Sequence, residues 1–120
     1  MTLNAYEKLE IIVKAADDRL AQDIVAMDVS QLTPLAEYFL VMHARNDRQL
    51  VAIMDEIIEQ CRKSGIEIKG TEGKDGGKWV LMDINDIVVH LFHYQERSHY
   101  NIEKVWVDAP LVDVTQWVNE

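Results

Sequence analysis

The chain has 120 residues, 48% of them hydrophobic, with 21 Asp+Glu against 12 Lys+Arg for a formal net charge of -9. That length and apolar content suit one domain with a real core, too short for two and too apolar for a disordered chain. The acidic surplus is repelled by nucleic-acid phosphates, and it serves either solubility or attraction to a basic protein partner.

A single cysteine, Cys61, excludes an intramolecular disulfide and fits a reducing compartment. The opening residues M-T-L-N-A-Y-E-K-L-E lack the basic and apolar regions of a signal peptide. No run approaches the ~20 apolar residues of a membrane span. The expectation is a soluble cytoplasmic protein.

Residues 3–20 carry Leu3, Tyr6, Leu9, Val13, Ala16 and Leu20 at steps of three and four, the spacing of an amphipathic helix. D-I-V-A-M-D-V at 23–29 alternates and reads as a strand, followed by a turn over 30–34 in which Pro34 turns Thr33 away from helix. Y-F-L-V-M-H-A at 38–44 is a nearly continuous apolar run, as in a strand covered on both faces. Asn46 then caps a helix with Gln49 as its capping-box partner, and Leu50, Ile53, Met54, Ile57, Ile58 and Cys61 form the buried stripe. Ser64-Gly65 ends that helix. Residues 66–69 predict a short strand, and the Gly- and Lys-rich 70–78 a loop.

Two β-rich runs follow, 79–82 and 87–92, joined by D-I-N-D with Ile84-Asn85 expected at the centre of a two-residue hairpin. Residues 96–106 predict a helix ended by Asp108-Ala109-Pro110. The tail, 111–120, contains Val112, Val114 and Trp117, which need a surface to lie on. The domain is expected over 1–110, with 111–120 as a C-terminal tail. Helices and strands mixed in so short a chain imply one α/β domain: a mixed, roughly five-stranded sheet with helices packed on it. A strand–helix–strand unit around 38–69 is expected to be parallel or split.

Chemistry is sparse. His90 and His93, three apart on a strand, point to opposite faces and cannot share one ion. Asp83 and Asp86 flank the turn, where acids commonly hydrogen-bond local backbone. The run G-T-E-G-K-D-G-G-K does not fit a phosphate-binding loop, because Trp79 follows Lys78 and a strand follows in place of a helix. No nucleophile–base–orienter set is visible. His90 reads either as a core residue or as a ligand, and Trp79 either as a core anchor or as an interface residue.

D-R-Q at 47–49, G-K-W-V-L-M-D-I-N-D-I-V-V-H-L-F-H at 77–93 and E-R-S-H-Y-N-I-E-K-V-W at 96–106 together resemble the ribosomal silencing factor family, also called iojap-like. The resemblance runs from about residue 3 to 110. It departs at Asn85, where members usually carry glycine, and at the helix entry H-A-R-N-D-R. It implies a nucleotidyltransferase-like fold without the catalytic residues, and a non-enzymatic translation factor needing no cofactor or metal. Such a factor binds the large ribosomal subunit through ribosomal protein uL-fourteen, blocks joining of the small subunit, takes part in subunit maturation and forms homodimers. Trp79, Leu81, Asp83, Asp86, His90, Arg97 and Tyr100 are the expected partner-binding residues. The alternative reading is a nucleotide-binding or nucleotidyl-transferring enzyme using Asp83 and Asp86.

Overall fold

The structure, a computed structural model, describes residues 3–73, 79–94 and 108–118. Helix α1 (Ala5–Asp18) starts at a full capping box: the Asn4 side chain accepts the Glu7 N–H at 2.8 Å, and the Glu7 carboxylate accepts the Asn4 N–H at 2.9 Å. It buries Leu9, Ile12, Val13 and Ala16. The helix stops before residue 20, because Leu20 turns into the left-handed region at φ 65. A leucine there costs about 1–2 kcal/mol. Gln49 holds the turn, its side-chain amide donating to the carbonyls of Arg19 (3.2 Å) and Leu20 (2.9 Å).

Strands β1 (Gln22–Asp28) and β2 (Tyr38–Ala44) pair antiparallel. Helix α2 (Asp47–Lys63) follows, capped by the Asn46 side chain on the Gln49 N–H at 2.8 Å. The Gln49 side-chain oxygen accepts from the Arg45 N–H, one residue before the expected cap nitrogen. At its C-terminus Gly65, φ 73, lets the Ile66 N–H reach the Cys61 carbonyl at 2.8 Å and the Gly65 N–H reach the Arg62 carbonyl. That closure corrects the strand expected over 66–69: Ile66 is still bonded to the helix and packs in the core. The strand is β3 (Gly70–Glu72).

Strands β4 (Trp79–Ile84) and β5 (Ile87–His93) form the hairpin. Ile84 pairs with Ile87, so Asn85 and Asp86 make the turn, one residue later than expected. Both isoleucines are fully buried, whereas Asn85 takes the left-handed conformation at φ 65 that a β-branched residue resists. β5 lies parallel to β2, from Tyr38 opposite Ile87 to Ala44 opposite His93. The unit through α2 is therefore split, with β3 and β4 laid outside it. The order is β3-β4-β5-β2-β1-β6, six strands among the described residues. The sixth, β6 (Leu111–Val112), pairs antiparallel with β1 and exceeds the five expected, since two residues carry no periodicity.

Both helices pack on one sheet face, over Leu40, Met42, Val80, Met82, Val89 and Leu91. Trp117, in a 3-10 turn (Thr115–Trp117), joins this core and meets Tyr6 edge-on at 5.2 Å. A smaller core on the other face holds Met27, Phe39, Val41, Phe92 and Ala109. The helix expected over 96–106 lies outside the described residues. Among the described residues no helix is long and apolar enough to cross a membrane.

Candidate functional site

Alternation along β4 sends Val80, Met82 and Ile84 into the helix-side core and leaves Trp79, Leu81 and Asp83 half-buried on the opposite face. The antiparallel register sets Phe92 beside Trp79, His90 beside Leu81 and Val88 beside Asp83. From β2, Phe39 and Val41 complete the same face. The sheet thus gathers an aromatic strip. Trp79 stacks on Phe92 (5.5 Å, 16°) and on His90 (6.1 Å, 23°), and Phe39 meets His90 edge-on at 5.3 Å.

Trp79 and Leu81 share one cavity of about 240 Å³ with Glu72 and Gly73. Gly73, φ 83, is the hinge of that corner: a Cβ on it would stand 2.0 Å from the Trp79 carbonyl oxygen. His90, by contrast, is only 6% exposed. Burial holds its ring down at a pKa of about 4, so it is neutral near pH 7. Neither ring nitrogen has a hydrogen-bond partner among the described residues.

The two turn acids do different local work. Asp83 accepts the Asn85 N–H at 3.1 Å, and Asp86 lies 3.4 Å from the Lys8 ammonium on α1. The Asp86 carbonyl also accepts the N–H groups of Glu37 and Tyr38 at 2.8 and 3.1 Å, anchoring the turn to the start of β2. Asp83 and Asp86 line a groove of about 440 Å³ with Ser30, Thr33, Glu37 and Lys69, beside Leu35, which is 77% exposed. Cys61 is fully buried, and burial pushes its thiol up to about 11, out of the range of a nucleophile near neutral pH.

Of the expected residues, Trp79, Leu81, Asp83 and His90 come together on one sheet face. Asp86 turns toward α1. Arg97 and Tyr100 lie outside the described residues. Phe39, Glu72 and Gly73 were not singled out from sequence. Phe39 joins the strip only through the parallel β2–β5 register, which no local pattern encodes. Gly73 was hidden among the loop's other glycines.

A helix layer packed on a six-stranded mixed sheet makes this a small α/β fold, and crystal structures resemble it. A protein from Chromobacterium violaceum superposes with a TM-score of 0.85 at 31% identity, covering 88% of each chain. The model of the family described as "Ribosomal silencing factor during starvation" matches residues 2–120. A ribosomal silencing factor of Bacillus subtilis is 45% identical over 98% of this chain and 100% of its own length. The chain belongs to the ribosomal silencing factor family. A more distant mouse relative, named for mitochondrial assembly of the ribosomal large subunit, is 27% identical over 87% of this chain and 47% of its own length.

Proposed function

We propose that the protein is a cytoplasmic translation repressor. It binds the large ribosomal subunit through ribosomal protein uL-fourteen and keeps the small subunit from joining. The observation that carries this reading is the family match over residues 2–120, in a family of ribosome-associated silencing factors, which are regulators. The charge supports it: a chain of net charge -9 is drawn to a basic ribosomal protein and repelled by bare RNA. The strip supports it too, since Trp79 and Leu81 offer a half-buried apolar contact flanked by the carboxylates of Glu72 and Asp83. Occupancy alone then suffices, with no bond made or broken. A role in large-subunit maturation accompanies this reading, favoured by the name of the mouse relative. A homodimer in the free state is part of it as well.

The test is capture of purified ribosomal subunits by the tagged protein at low and moderate salt. Retention of the large subunit alone, weakened by salt, is the expected result. Trp79→Ala is expected to weaken capture while circular dichroism stays native. Retention of neither subunit refutes the reading.

A further inference from the structure

His90 poses a problem that its surroundings do not solve. It sits at 6% exposure among Phe39, Leu81 and Phe92, with the half-buried Trp79 indole stacked on it. A neutral imidazole brings one donor and one acceptor, and among the described residues neither is used. Buried polar atoms are nearly always hydrogen-bonded, and leaving them unsatisfied weakens the fold. A partner that arrives in another state would satisfy both atoms. Beside it, Trp79 borders a cavity of about 240 Å³ with Glu72, Gly73 and Leu81.

We propose that His90 is a binding residue held in reserve beneath Trp79: on docking, the indole turns aside and the imidazole hydrogen-bonds a polar group of the protein partner. This rests on the silencing reading above and assigns His90 a role distinct from that of the half-buried Trp79 and Leu81. Trp79 provides the apolar contact, and His90 supplies a directional bond that discriminates a correctly placed polar group from an apolar one. Both ring nitrogens are available, so the partner's group is either a donor, such as a backbone N–H or a cationic side chain, or an acceptor, such as a carbonyl.

The test pairs stability with capture. His90→Leu and His90→Gln are compared with the wild type by urea unfolding at pH 7.5 and by capture of purified large subunits. His90→Leu is expected to unfold at the same or a higher urea concentration while its affinity for the subunit falls about tenfold. His90→Gln, which keeps a donor and an acceptor, is expected to retain more of the affinity than His90→Leu. Wild-type capture with undiminished capture by His90→Leu overturns the proposal and leaves the silencing reading standing. Stability and capture falling together in His90→Leu also overturn it, since His90 is then a core residue. His90→Gln binding no better than His90→Leu also overturns it, since the bond then contributes nothing. No capture by the wild type refutes the silencing reading and this proposal with it.

Discussion

Acidification should destabilise this protein in part through His90, and His90→Leu should remove that part. Burial lowers the His90 pKa from an ordinary value of 6.5 to about 4. Above pH 6.5 the ring is neutral in both folded and unfolded chains, and the stability is intact. Between pH 6.5 and 4 the unfolded chain takes up a proton that the folded chain refuses, so stability falls. Below pH 4 both forms are protonated and the loss levels off. At pH 4.5 the two proton affinities give a loss of about 2.5 kcal/mol relative to pH 7.5. That is a large part of the ~5–15 kcal/mol that holds a typical domain together. Urea unfolding followed by circular dichroism at pH 7.5, 6 and 4.5 measures it. The wild-type midpoint is expected to drop by roughly 1 M or more beyond that of His90→Leu, since m-values run about 1–3 kcal/mol/M. All other titrating groups are common to the two chains and cancel. Parallel losses in both proteins would refute the claim that His90 is buried neutral and unpartnered.

Two further perturbations probe the frame around the strip. Gly65 and Gly73 both have positive φ, yet a Cβ at Gly65 meets nothing within 4 Å, whereas at Gly73 it meets the Trp79 carbonyl at 2.0 Å. Gly65→Ala is expected to cost about 1 kcal/mol and Gly73→Ala at least twice that, with the Trp79 environment altered in near-ultraviolet circular dichroism. Equal costs would mean that the corner at Gly73 is not closed on β4. Trp117→Ala removes a buried ring from the core and from Tyr6, with an expected loss of about 3 kcal/mol and a Tm lowered by roughly 10 °C. An unchanged Tm would detach the 3-10 turn from the fold.

Both described helices were legible because their stripes repeat over several turns and their caps, Asn46 and Gly65 among them, carry their own chemistry. The hairpin was legible as well, but its turn was placed one residue early. Ile84 looked like part of the turn by position, and the buried pairing with Ile87 outweighed that. Elements made by partners far along the chain were not legible. Residues 111–112 become a strand only because β1 offers them an edge, and the end of α1 depends on Gln49, which lies 29 residues beyond Leu20. The candidate site shows the same division. Trp79 and Leu81 follow from alternation within one strand. Phe39 and the depth at which His90 is buried follow from which strands lie side by side.

The seating of β6 on β1 and of Trp117 against Tyr6 has a bearing on how the chain is made. The first helix and first strand are completed by residues 111–117, so these contacts span about a hundred residues of chain. Loop closure of that span has to be met before those contacts contribute, which delays their formation. During synthesis the first helix and first strand therefore wait, unfinished, until residues 111–117 have been made and brought back to them.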